Sequence, residues 1–176
     1  MSNGALCSRL FFLREGAKMV AWWGTQQEIS PRLWLEVQAM RESFGKTFTL
    51  VVPRWGGQIH WEGTVEINLS ILKSREHTLR IVYPDNFPSQ PPITYIVRPM
   101  ILSPIHQYED GRLCLFNPRD GTHYGWNPAR STAVTVASWA IQWLYAYYIW
   151  RKTSNWPGME ESVTNPHYND RNRRSG

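Results

Sequence analysis

His106-Gln107-Tyr108-Glu109-Asp110-Gly111-Arg112-Leu113-Cys114-Leu115-Phe116-Asn117-Pro118 reads as a tight turn followed by a thiol. Asp110-Gly111 is turn chemistry, because glycine adopts a positive φ without a Cβ clash. Leu113, Cys114 and Leu115 then form a short extended piece that ends at Asn117-Pro118. Two readings of the cysteine stand side by side. A thiol carried on such a rim is a nucleophile; a cysteine between two leucines is a small buried hydrophobe. The flanking sequence decides between them.

Working backward from the turn, residues 84–92 hold four prolines, Pro84, Pro88, Pro91 and Pro92. Proline cannot donate to a strand ladder, so this piece is a stiff excursion outside the sheet. It separates two apolar segments, residues 77–83 and 93–97, which read as strands three and four. Residues 48–52 and 59–69 supply the first two strands, divided by Pro53 and Gly56-Gly57. Short connections between successive strands predict an antiparallel meander. His60 and His77 fall within these strands and are expected to be partly exposed, without a chemical role. Ahead of the strands, Ser30-Pro31 opens a helix by capping its free N–H groups and presetting φ at its first turn. Leu33, Val37, Met40 and Phe44 recur on one face, Arg32, Glu36, Arg41 and Glu42 are expected elsewhere, and Gly45 is the stop.

Working forward, a polar loop at 119–125 leads to Trp126-Asn127-Pro128 and a second helix from about residue 132 to residue 151. Residues 131–150 carry no charge and match the length of a membrane span. Their aromatics, Trp139, Trp143, Tyr145, Tyr147 and Tyr148, crowd the middle and one end instead of two interfaces, and Ser138 and Gln142 interrupt the run. A helix that is apolar all round is also what the central helix of a domain looks like, and that is the expectation here, with no membrane partner. Trp156-Pro157-Gly158 follows, Trp156 is expected to dock on the core, and the basic tail is expected to be flexible at its end. The domain limits read from these signals are a lead at 1–29, one domain at 30–158 and a tail at 159–176.

Composition narrows the function. The net charge of +5 comes mainly from 15 arginines scattered along the chain, which makes no nucleic-acid reading patch. Cys7 and Cys114 are the two cysteines, far apart and without zinc spacing, so neither a disulfide framework nor a metal or other cofactor is expected. A reducing cytoplasm fits this usage. The apolar run at 10–13 is too short for a signal peptide, and Ser2 takes the place of the glycine that myristoylation requires.

Three motifs in this order resemble the ubiquitin-conjugating enzyme family. Leu79-Arg80-Ile81-Val82-Tyr83-Pro84-Asp85-Asn86-Phe87-Pro88-Ser89-Gln90-Pro91-Pro92 looks like that family's third-strand ending and its paired aromatic-prolines. Gly111-Arg112-Leu113-Cys114-Leu115 looks like its Gly-x-Ile-Cys-Leu active-site segment, and Trp126-Asn127-Pro128 like its Trp-Ser-Pro. The match covers residues 30–150. It implies an α+β ubiquitin-conjugating-enzyme-like fold: an N-terminal helix, a four-stranded antiparallel meander, an active-site segment and a long buried C-terminal helix. Family members usually read His-Pro-Asn with the histidine ten residues before the cysteine, whereas His106-Gln107-Tyr108 starts eight residues before Cys114. The asparagine credited with stabilising the oxyanion is thus absent from its usual place. The departures resemble the bacterial branch of the family, found in antiphage operons with cyclic-oligonucleotide signalling (CBASS).

The resemblance implies an acyltransferase that carries a protein's carboxyl terminus as a thioester on Cys114 and passes it to an amine. Its partners would be an activating enzyme, a nucleotidyltransferase or ubiquitin-like protein as acyl donor, and a lysine-bearing target. The alternatives are the conjugating enzyme of a bacterial ubiquitin-like system, or an inactive binding module of the same fold. His106 is expected to organise the loop by hydrogen bonding. Asn117 is a candidate oxyanion donor or a turn residue before Pro118. Asp120 and His123 are candidates for handling the lysine's proton or are solvated loop residues, and Tyr108 is open in the same way. Arg112 and Arg119 are the local positive charges able to favour a thiolate.

Overall fold

A computed structural model describes residues 22–23, 30–53, 57–70, 73–115 and 125–157. Helix α1 (Pro31–Phe44) precedes strands β1 (Phe48–Val51), β2 (His60–Ile67), β3 (Arg75–Val82) and β4 (Ile93–Arg98), and helix α2 (Ala133–Thr153) ends the order. The four strands form one antiparallel sheet in sequence order, the expected meander, with strand ends one or two residues from those read in the sequence. The lead, apart from Trp22 and Trp23, and the tail at 159–176 lie outside the described residues.

Local chemistry sets the ends of α1. The Ser30 hydroxyl accepts the Leu33 N–H at 3.1 Å, and Gly45 leaves the helix at φ +58° while its N–H closes on the Arg41 carbonyl. In the sheet, side chains alternate. Trp61, Val65 and Ile67 of β2, Leu79 and Ile81 of β3 and Ile96 of β4 are buried on the side facing the helices. Gly63 has a steric reason: a Cβ there would lie 2.4 Å from the Thr47 carbonyl and 2.6 Å from the Phe48 ring. Helix α2 buries Ala133, Val136, Ala137, Ala140, Trp143 and Leu144, which recur at helical spacing and give the helix one inward-facing stripe. Its remaining aromatics screen one another. Trp143 stacks on Tyr147 at 5.4 Å, and Tyr147 touches both Tyr148 and Trp150. Among the described residues no helix is long and apolar enough to cross a membrane.

Two expectations are corrected. Glu36, expected on the outer face of α1, is fully buried. Its carboxylate pairs with Arg32 at 2.9 Å and accepts the Tyr83 hydroxyl at 2.8 Å and the Ala133 N–H at 2.7 Å, so it serves as the acceptor for the first turn of α2. Arg32 in turn donates to the carbonyls of Pro128 and Ser131. His77, expected to be partly exposed, is also fully buried, and its Nε2 meets the Tyr148 hydroxyl at 2.7 Å. Both residues sit at interior positions where α2 or the start of the proline excursion supplies a hydrogen-bonding partner.

The proline excursion is anchored by aromatics. Phe87 packs on Tyr83 at 4.7 Å, on Trp22 at 4.5 Å and on Trp126 at 5.9 Å, and the Trp126 Nε1 donates to the Pro88 carbonyl at 2.7 Å. The first and third motifs are therefore not separate signals: the excursion and Trp126-Asn127-Pro128 hold each other next to the start of α2.

Candidate active site

Between β4 and α2 the chain builds a miniature ribbon. Gln107 bridges Leu113, Arg112 bridges Tyr95 of β4, and Leu113 N–H donates to the Thr94 carbonyl at 2.8 Å. The turn expected at Asp110-Gly111 is present. Gly111 has φ +84°, its N–H reaches the Tyr108 carbonyl, and Tyr108 N–H reaches the Arg112 carbonyl. Asp110 supports this turn by accepting the Arg112 N–H at 3.1 Å and pairing with its guanidinium at 3.2 Å. Gln107, buried, fastens the ribbon from inside. Its Nε2 donates to the carbonyls of Ile101 and Gly111, and its Oε1 accepts from the Ser103 N–H.

Cys114 stands at the end of this ribbon as a free, half-buried thiol. Its N–H donates to the His106 carbonyl at 2.9 Å, and the Trp143 Nε1 donates to the same oxygen at 2.8 Å. His106 adopts φ +54°, a left-handed conformation that histidine tolerates better than most residues. That conformation aims its carbonyl at both donors. Its ring lies on Trp156 at 4.7 Å, and burial holds its pKa below the ordinary histidine value. His106 thus meets the cysteine through its backbone, with its ring packed away as a neutral group at pH 7. Trp143→Phe is expected to cost about 1–3 kcal/mol in urea unfolding, because a buried carbonyl loses one of its two donors.

A groove of about 210 Å³ opens beside the thiol. Trp139, Trp143, Trp156, Leu115 and Pro157 line it, and Gln142 supplies an exposed amide. Among the described residues no charged side chain lines it. Trp156 docks as expected, also contacting Trp143 at 5.6 Å and Trp150 at 6.3 Å. Arg112 lies over the Tyr108 ring at 4.2 Å. Asn117, Arg119, Asp120 and His123 lie outside the described residues. No group of His, Cys, Asp and Glu able to hold a metal ion occurs among the described residues.

The family described as Type II CBASS E2 protein matches residues 36–163, most of the chain and all of the ribbon and groove. The chain belongs to this family. A search of curated proteins finds no match. Among solved structures, the chain is similar to the yeast vps23 UEV domain in complex with a vps27 PSDP peptide, at 14% identity, covering 75% of this chain and 85% of that one with a TM-score of 0.45.

In this E2 protein the sequence pointed to the thiol but missed several groups around it. Gln107 and Trp143 looked like unremarkable polar and core residues, yet both position the ribbon through hydrogen bonds to backbone. The groove had no signal in the sequence, since its walls come from α2 and from Trp156-Pro157, brought to Cys114 only by the fold. Acidification is expected to weaken the fold. Burial holds the pKa values of His77 and His106 below the ordinary value of 6.5, in His77 with a smaller contribution from Arg75. The unfolded chain therefore takes up protons first, and the stability these groups contribute is present above pH 6.5 and drains as pH falls toward their folded values. The slope per histidine is at most about 1.4 kcal/mol per pH unit, and His77→Gln is expected to flatten the melting temperature measured across that range.

Proposed function

We propose that this type II CBASS E2 protein is a cysteine acyl carrier. It accepts the carboxyl terminus of a protein as a thioester on Cys114 and transfers it to an amine, with a cyclic-oligonucleotide synthase of the same defence system as the conjugated protein. The observation that carries this reading is the placement of Cys114. A half-buried free thiol, backbone-locked to His106, lies beside an aromatic groove that carries no charged side chain among the described residues. Such a groove suits an extended, uncharged peptide end, with aromatic faces for its side chains and the Gln142 amide for its backbone. His106 acts as the loop organiser, through its carbonyl. An activating enzyme would supply the charged acyl group and a lysine-bearing protein would receive it. A thiol that must stay reduced suits a cytoplasmic setting.

The reading is tested by loading the purified protein with a glycine-ending peptide activated as its 2-mercaptoethanesulfonate thioester. The expected result is a reductant-labile adduct mapped to Cys114 by peptide digestion. That adduct should discharge to an added amine faster than the same peptide thioester on glutathione does. A Cys114 adduct no more reactive than the glutathione thioester would sink the carrier reading in favour of a binding module of the same fold.

A further inference from the structure

Trp139, Gln142, Trp143 and Ala146 recur at helical spacing on one face of α2, and all four line the groove that Cys114 also lines. Seven residues of helix span about 10 Å, which is the reach of about three extended residues. The walls are set before anything binds. Trp143 is fixed by its bond to the His106 carbonyl at 2.8 Å and by stacking on Tyr147. Beyond α2 the chain turns at Ser154, φ +62°, and Thr153 Oγ1 accepts the Asn155 N–H at 3.2 Å. That turn brings Trp156 onto the His106 ring at 4.7 Å and onto Trp150 at 6.3 Å. At about 210 Å³ the groove is smaller than the ~300–1,000 Å³ that encloses a drug-sized ligand, so it takes one large side chain with its adjoining backbone and no folded element.

We infer that this groove selects the acyl donor by taking one large apolar side chain, aromatic or long aliphatic, from the second or third residue before and counting the donor's carboxyl terminus. The inference rests on the carrier reading of Cys114. Because Cys114 is part of the lining, a chain acylated on its sulfur begins inside the groove. The terminal residue adjoins the reacting carbonyl, where bulk would block the amine, so the selected side chain belongs to the next one or two positions. Its chemistry follows from the walls. Tryptophan faces attract apolar rings and cations alike, but among the described residues the lining holds no carboxylate to pair with a desolvated cation. It holds no cation for an acidic side chain either. The Trp143 N–H is already spent on His106, which leaves that ring offering apolar surface only. The Gln142 amide is the polar group left to meet the donor's backbone.

The test uses 2-mercaptoethanesulfonate thioesters of glycine-ending peptides that differ only at the second or third residue from the end, as Phe, Leu, Ala, Asp or Lys. In each, the Cys114 thiolate attacks the thioester carbon and 2-mercaptoethanesulfonate leaves as its thiolate. Expected is that wild type loads the Phe and Leu peptides about 10- to 200-fold faster than the Ala peptide at one of the two positions, with Asp and Lys no faster than Ala. Glutathione, which has no groove, should show no such order. Trp139→Ala removes part of the wall and is expected to bring the Phe-to-Ala ratio below about threefold. Ala146→Phe, which fills the groove instead, should do the same. Wild-type rates within about threefold for all five peptides at both positions overturn the inference, and need neither variant. So does a Lys peptide that loads faster than Phe, which would make the groove a cation site, or a ratio that survives in both variants. If the Phe preference holds but the adduct discharges no faster than the glutathione thioester, the carrier reading fails and the selectivity stands. No adduct on Cys114 with any peptide sinks both.

Discussion

Cys114→Ala is expected to yield no adduct at the site and no transfer at all, while melting within about 1 kcal/mol of wild type. The substitution removes only Sγ from a half-buried side chain and leaves the N–H that donates to His106 in place. The ribbon does not depend on the sulfur, because its hydrogen bonds run through Gln107, Tyr108, Leu113 and the backbone of Cys114. Loss of chemistry with a retained fold is therefore what a carrier cysteine predicts, whereas a cysteine needed for packing would show the reverse. Cys114→Ser adds a sharper version. A hydroxyl ionises far less than a thiol, so acylation should be much slower, and any adduct formed would be an oxygen ester that thiol reagents do not cleave. Intact-mass measurement before and after treatment with reductant reads both results. A reductant-labile adduct of full yield on the alanine variant would place the reactive sulfur elsewhere, Cys7 being the other cysteine of the chain.

The second large effect is on stability. Glu36→Ala is expected to lose about 3–5 kcal/mol, enough to leave a large share of the chain unfolded at ambient temperature. Removing the carboxylate strands the Arg32 guanidinium, the Tyr83 hydroxyl and the Ala133 N–H at once. Those three groups belong to α1, the start of the proline excursion and the first turn of α2, so one deletion loosens the joint between three parts of the fold. Glu36→Gln keeps an acceptor oxygen and the shape, and should cost about 1–3 kcal/mol less than the alanine change. The pH dependence has a definite sign. Burial, the largest influence, raises the Glu36 pKa above 4.5 despite its hydrogen bonds from Ala133 and Tyr83 and the pull of Arg32. The folded protein therefore binds this proton before the unfolded chain does. The stability contributed is full below the unfolded value and declines as pH rises through the folded one. Wild type and Glu36→Gln should accordingly converge in urea-unfolding free energy as pH rises, and a gap that widens instead would mean that Arg32 pairing outweighs desolvation.

Much of the architecture was legible because its causes are local. Ser30, Pro31 and Gly45 bound α1 through groups within four residues of each end. Gly111 turns the ribbon because its own φ is positive, and the four prolines of 84–92 keep that piece out of the sheet by lacking N–H groups. The cysteine's reading as a site needed the two flanking motifs, and the contacts of Phe87, Pro88 and Trp126 explain why they occur together. The two buried polar residues were misread for the opposite reason. A glutamate on α1 and a histidine in β3 look solvated by composition, and only a distant partner makes burial tolerable. For Glu36 that partner is the Ala133 N–H, 97 residues away, and for His77 it is Tyr148, 71 residues away.

The sequence by itself determined the order of the elements, the turn before Cys114 and the family to which the chain belongs, since capping, periodicity and turn geometry act over a few residues. Only the tertiary structure decided what surrounds the thiol. The groove walls at Trp139, Trp143 and Trp156, the carbonyl shared by Cys114 and Trp143, and the burial of Glu36 at the head of α2 arise where helix and ribbon meet. Contacts made across that distance depend on how the sheet and helix pack, and no spacing along the chain encodes them.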